Sequence, residues 1–179
     1  MIVKILAGAA VVLVILIVVI STRPDSFRLS RSIAISAKPE TVFEQVNNLR
    51  KWEAWSPWAK LDPAAKNSYE GPAEGVGSSL YWSGNNKVGE GRMTVVESQP
   101  SEYVRFQLEF MRPFKASNIA EFTFKPEGNQ TLVTWTMSGK NNFLAKAFSL
   151  FMDCEKLVGP DFEKGLAQMK SVAESTAQK

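Results

Sequence analysis

From Ile5 to Ile20 the chain carries no charged and no strongly polar side chain, and the run is rich in Val, Ile and Leu. A helix rises about 1.5 Å per residue and a bilayer's hydrocarbon core is about 30 Å thick, so roughly 20 apolar residues span it. Ile2 to Ile20 supplies that length, with Lys4 reaching back toward the headgroups. A cleaved signal peptide is the competing assignment. The run is long for a signal core, however, and no Ala-x-Ala site follows it. The expectation is a single-pass membrane protein that meets the bilayer through residues 2–20. Residues 1–22 form the anchor, 23–26 a short polar linker, and 27–179 one folded domain. Lys4 and the amino terminus on one side nearly balance Arg23, Arg28 and Arg31, offset by Asp25, on the other. The excess of cations that normally marks the cytoplasmic side therefore leaves the side of the domain open.

Composition narrows the function classes. The chain has 179 residues, 45% hydrophobic and 22% charged, which is globular. A net charge of +3 comes without any Lys/Arg cluster, so nucleic acid is not an expected partner. Cys154 is the lone cysteine, and there is no histidine. That excludes Ser-His-Asp and Cys-His nucleophilic catalysis in their usual forms and removes the commonest transition-metal ligand. No metal and no cofactor are expected.

Past the linker the hydrophobic period is two. Phe27, Leu29, Ile33 and Ile35 share one strand face. A helix then starts at Pro39-Glu40 and places Val42, Phe43, Val46 and Leu49 on one side, ending near Asn47-Asn48. A second short turn opens at Arg50-Lys51-Trp52. Trp52, Trp55 and Trp58 crowd the segment that follows. A short strand is expected around Tyr69–Gly71. Val76 to Ser83 alternates Val76, Leu80 and Trp82 against Ser79 and Tyr81. Ser83-Gly84-Asn85-Asn86 makes a hairpin loop, and Gly89 to Ser98 returns.

The clearest strand is Tyr103–Phe110, with Val104, Phe106, Leu108 and Phe110 on one face. Ala116–Lys125 repeats the pattern with Ala120, Phe122 and Phe124. Pro126-Glu127-Gly128-Asn129 turns the chain, and Thr131–Met137 places Val133, Trp135 and Met137 together. A short helix is then expected over Phe143–Met152. Gly159-Pro160 interrupts, with Pro160 in the first turn of a last helix whose stripe is Phe162, Leu166, Met169 and Ala173.

These motifs in this order resemble the START-like (helix-grip) superfamily, and within it the SRPBCC proteins of polyketide cyclase/dehydrase type. The likeness rests on Arg31-Ser32-Ile33-Ala34-Ile35, Ala37-x-Pro39-Glu40-x-Val42-Phe43, Trp52-x-x-Trp55-Ser56-Pro57-Trp58, and Gly75-Val76-Gly77-Ser78 before Trp82. Thr131-x-Val133-x-Trp135 and Asp161-Phe162-x-x-Gly165-Leu166 complete it, and it covers about residues 27–173. It implies an α+β fold: a curved antiparallel sheet of about six to seven strands on a long C-terminal helix, with a deep cavity between them. Family members commonly fill that cavity with lipids, polyketides, sterols or other apolar ligands. On the resemblance, Trp82, Phe106, Phe110, Phe122, Phe124, Trp135, Phe162, Leu166 and Met169 line the cavity, with Trp52, Trp55 and Trp58 beside it. The inward aromatics serve equally as core. The Trp cluster has two readings, a plug at one end of the sheet, or a cavity mouth or membrane-interface contact.

Acid/base candidates are Glu70, Glu90, Glu109, Glu121 and Tyr81, and Arg92 or Arg112 is a candidate for holding a ligand anion. Glu109 and Glu121 fall on outward faces by alternation, and no two of these residues have a spacing that demands catalysis. No catalytic residue is assigned. The expected function is binding of a lipid-like or other hydrophobic small molecule beside a membrane. A cyclase- or aromatase-type enzyme and a protein-interaction adaptor stand as alternatives.

Overall fold

A computed structural model describes residues 2–150 and 154–177. Helix α1 (Ile2–Ser21) is followed by β1 (Ser26–Ile35), α2 (Pro39–Asn47), a 3-10 turn at Leu49–Lys51 and the single-turn α3 (Trp52–Trp55). Strands β2 (Lys66–Glu70), β3 (Ser79–Ser83), β4 (Glu90–Gln99), β5 (Tyr103–Arg112), β6 (Ala116–Glu127) and β7 (Gln130–Lys140) come next. Two helices close the chain, α4 (Phe143–Phe148) and α5 (Cys154–Ala177). The fold is the expected α+β helix-grip arrangement.

The seven strands form one antiparallel sheet in the order β1-β7-β6-β5-β4-β3-β2. Each strand from β2 to β7 pairs with its sequence neighbour, which is what short turns between alternating segments dictate. Only β1 is carried across to close on β7, with Ser26 opposite Lys140 and Ile35 opposite Thr131. The inward face carries Leu29, Ile35, Met93, Val95, Val104, Phe106, Ala120, Phe122, Phe124, Val133 and Trp135, all buried. One buried face fixes the register, because a slip of one residue would turn this whole set to water.

Several boundaries differ from the sequence expectation, and the strand expected around Tyr69–Gly71 is β2 at Lys66–Glu70. Val76 lies outside β3 and is exposed, because Gly75 and Gly77 adopt φ of 78° and 89°, and the strand begins only at Ser79. At the β6–β7 hairpin the strand runs on through Pro126 and Glu127, and the reversal is made by Gly128 at φ 62°.

Helix α5 lies across the concave face. Phe162, Leu166, Met169 and Ala173 are all buried, and each of the three larger side chains is worth about 1.5–3 kcal/mol of apolar burial. The helix does not begin at Pro160. It begins at Cys154 and runs through Gly159-Pro160 without a break. A proline inside a helix removes one backbone hydrogen bond, and here side chains bridge the gap. Arg31 on β1 donates Nη1 to Glu155 at 3.1 Å and Nε to Glu163 at 2.8 Å, one partner on each side of Pro160. Gly159 makes room, since a Cβ there would sit 2.5 Å from the Arg31 guanidinium. Helix α4 is shorter than expected and ends at Phe148; Met152 and the side chain of Cys154 lie outside the described residues.

Helix α1 is long and apolar enough to cross a membrane, from Lys4 to Ser21. It is not a core helix. Among its described side chains, the Ile, Val and Leu residues other than Ile20 are exposed, and Ile20 is buried. Helix α1 contacts α4. Residues 23–26 are tied down: Asn141 donates its backbone N–H to the Asp25 carbonyl at 2.8 Å and its Nδ2 to the Pro24 carbonyl at 3.0 Å, and Lys146 pairs with Asp25.

Candidate functional site

The concave face is filled at one end and open at the other. At the filled end α2 and α3 press on the sheet. Trp52 and Trp55 are buried, and their indole N–H groups donate to the carbonyls of Val46 and Gln45, each at 2.9 Å. The Trp52 ring meets Phe106, Phe122 and Trp135 edge to face, and Phe43 meets Phe124 in the same way. The plug reading of Trp52 and Trp55 therefore fits. Both rings are inside, and both indole N–H groups are satisfied by backbone carbonyls rather than by headgroups or water.

At the other end the sheet and α5 stand apart around a cavity of about 360 Å³, a volume typical of small-molecule sites. Trp52, Trp58, Trp82, Phe110, Trp135 and Phe162 line it. Trp55, Phe106, Phe122, Phe124, Leu166 and Met169 lie instead in the packed core. Further walls come from Leu49, Leu80, Met93, Leu108, Ala120, Met137 and Val158. The deep wall is a stack: Trp135 lies on Phe162 at 3.9 Å between centroids and on Phe122 at 4.9 Å, with Trp58 edge-on to Trp135 at 5.8 Å. The buried lining residues are Leu49, Trp52, Gly89, Met93, Ala120, Trp135 and Phe162, so the depth of the cavity is apolar but for the Trp135 indole N–H, which is buried without a hydrogen-bond partner.

Polar groups gather at the exposed mouth: Glu53, Asn67, Tyr69, Asn86, Lys87 and Arg112. Tyr69 donates its hydroxyl to Glu53 Oε1 at 2.9 Å, and the Arg50 guanidinium lies 4.4 Å over its ring. Burial first, then the bond to Glu53, pushes the Tyr69 phenol up to about 12. Asp62 ties the two lips together by accepting from the backbone N–H of Ala64 at 3.1 Å and of Asn85 at 2.6 Å.

None of Glu70, Glu90, Glu109, Glu121, Tyr81 or Arg92 lines the cavity. Glu90 accepts from the Tyr81 hydroxyl at 2.6 Å and from Arg112 Nε at 2.8 Å, and these two bonds, the Tyr81 one foremost, hold its carboxyl below the usual range. Arg112 reaches the mouth but also donates Nη2 to the Gly84 carbonyl at 3.0 Å. Glu70 pairs with Arg92 at 3.3 Å. The pair that sequence reasoning missed is Tyr69–Glu53. The two are 16 positions apart, in the single-turn α3 and in β2, and no periodicity links them.

A family model described as "polyketide cyclase / dehydrase and lipid transport" matches residues 26–174. Solved structures share the fold at low identity. A di-domain aromatase/cyclase, StfQ, from the steffimycin biosynthetic pathway superposes with a TM-score of 0.63 at 10% identity, over 86% of this chain and 52% of its own. The Aha1 dimer protein of Colwellia psychrerythraea gives 0.60 at 20%, over 83% and 96%. Protein CV1439 of Chromobacterium violaceum gives 0.59 at 16%, over 85% and 99%. No curated protein matches the chain.

Proposed function

We propose that this chain, which belongs to the polyketide cyclase / dehydrase and lipid transport family, binds a lipid-like or other hydrophobic small molecule in the cavity between its sheet and α5, beside a membrane crossed by α1. Residues 1–22 serve as the anchor and 27–179 as the binding domain, with 23–26 as the joint. The observation that carries the reading is the division of the cavity. Its depth is apolar except for one unpartnered donor, the Trp135 indole N–H, and its titratable groups are confined to the mouth. Such a site binds by burying apolar surface and uses a few polar groups to set orientation. Full-length chain purified from membranes, extracted into organic solvent and analysed by mass spectrometry is expected to release an apolar species in stoichiometric amount. Absence of such a species, together with no saturable uptake of an apolar fluorophore, would overturn the reading.

A cyclase-type reaction is the second reading, and the Tyr69–Glu53 pair favours it. A neutral phenol at a cavity mouth is able to donate a hydrogen bond to a ligand carbonyl oxygen while the carboxylate beside it takes a proton from the adjacent ligand carbon, the electron pair moving onto that oxygen as an enolate. Tyr69→Phe separates the two. It leaves apolar binding intact in both and abolishes turnover of a poly-β-ketone substrate only in the second.

A further inference from the structure

The register places several chain reversals at one end of the sheet. Ser26 lies opposite Lys140, Phe110 opposite Ala116, Glu90 opposite Arg112, and Ser83 opposite Glu90. The cavity mouth reaches this end through Lys87, Arg112 and Pro113, and runs from there along β2 to Tyr69. The entry of α1 into the domain is at this end too, one step before Ser26.

The same end is unusually apolar. Outside α1, large exposed apolar side chains among the described residues are Leu61, Val76, Val96, Met111, Phe114, Phe143, Leu144, Phe148 and Leu157. The last six belong to the end of β5, the β5–β6 loop, α4 and the first turn of α5. Phe114 and Phe148 join loop to helix, their rings 5.8 Å apart. Phe143 and Leu144 are 55% and 52% exposed, although a solvated helix would keep them inward. Arg23, Lys115, Lys140 and Lys156 are exposed around them and have no ion pair among the described residues. Exposed apolar side chains gathered among cations mark an interaction site.

The position of α1 says what covers it. Its 20 residues span about 30 Å, the thickness of the hydrocarbon core, so its last turn lies at the headgroup boundary. Helix α4 contacts α1, and the linker that leaves α1 is fastened to α4 by the Lys146–Asp25 pair and to the segment before α4 by the Asn141 bonds to Pro24 and Asp25. The exposed face of α4 is thereby held at interfacial depth, where Phe and Leu beside Lys are at home. We propose that the rim formed by Phe114, Phe143, Leu144, Phe148 and Leu157 docks on the lipid surface that α1 crosses, so that the cavity mouth opens onto the headgroups. This inference rests on α1 being an anchor and names the bilayer as the source of the cavity's ligand.

The test uses the full chain with Cys154→Ser, reconstituted in vesicles of phosphatidylcholine and phosphatidylglycerol. An environment-sensitive fluorophore is attached after Phe114→Cys, Phe148→Cys or, at the far end of the sheet, Asn129→Cys. Lipids spin-labelled near the headgroup are expected to quench the labels at 114 and 148 several-fold more than the label at 129. Rim labels as water-exposed as the one at 129, on a chain that floats with the vesicles, would overturn the rim and leave the anchor standing. Labels that are shielded but not quenched would overturn it in favour of a protein partner or a second copy. A chain that does not float removes anchor and rim together, while ligand extraction still tests the cavity on its own.

Discussion

The Trp135 indole lies face to face with the Phe162 ring, 3.9 Å between centroids and 14° between planes. This contact joins β7 to α5 at the back of the cavity, so it is both a core contact and a cavity wall. Truncating either ring leaves the other without its partner. Trp135→Ala and Phe162→Ala are each expected to cost about 3–5 kcal/mol, with a coupling of about 0.5–1.5 kcal/mol in the double-mutant cycle. Denaturant unfolding followed by far-ultraviolet circular dichroism measures both. A coupling near zero would show that the stack is incidental.

Ala120 is buried and lines the cavity. Ala120→Phe puts a ring into empty space rather than into packed atoms. Its stability change is expected to fall below the roughly 1–3 kcal/mol typical of overpacking a filled core. Affinity for an apolar fluorophore is expected to drop at least about tenfold, which is about 1.4 kcal/mol. Equal affinity in parent and variant would place the probe outside this cavity.

Gly91 is buried in β4, and a Cβ there would lie 2.6 Å from the Glu109 carbonyl oxygen and 2.5 Å from the Trp82 ring. The carbonyl belongs to a paired strand and cannot retreat alone. Gly91→Ala is therefore expected to destabilise by about 1–3 kcal/mol and to push Trp82 off the cavity wall, weakening probe uptake as well. A variant with unchanged stability and unchanged uptake would contradict this geometry.

Tyr69 and Tyr103 are both pushed up from 10.0 to about 12, each by burial first and then by its carboxylate partner, Glu53 or Glu121. The fold favours the neutral phenol, so this contribution is fully present below pH 10 and is lost as pH climbs toward 12. Phenolate absorbance on native chain is expected to lag behind that of unfolded chain across this window. Tyr103→Phe shortens the lag. Superimposable titrations of native and unfolded chain would refute it.

How much was legible in the sequence depends on whether a pattern is local. Strands β5, β6 and β7 alternate because one face is buried, and Phe106, Phe122 and Trp135 all point inward as their positions dictate. The Phe162, Leu166, Met169 stripe is legible for the same reason. Alternation names a face, but not where along that face the covering helices stand off. Phe106 and Phe122 sit under Trp52 in solid core, while Leu108 and Phe110, further along the same strand, reach the cavity. The meeting of Tyr69 with Glu53 and the continuity of α5 through Pro160 were likewise out of reach, since each depends on a partner distant in the chain.

Helix α5 has a broken backbone ladder at Pro160 and a splint across the break, made by Arg31 from a neighbouring strand. The two sides differ in duty: Val158 before the break stands at the cavity, while Leu166, Met169 and Ala173 after it are locked into the core. A rod mended this way bends most cheaply at the mend. The splint is ionic and partly wet, so salt loosens it without touching the core. The two ends of the long helix are thus secured by different forces, an ionic splint at the entrance of the chamber and apolar burial beyond it.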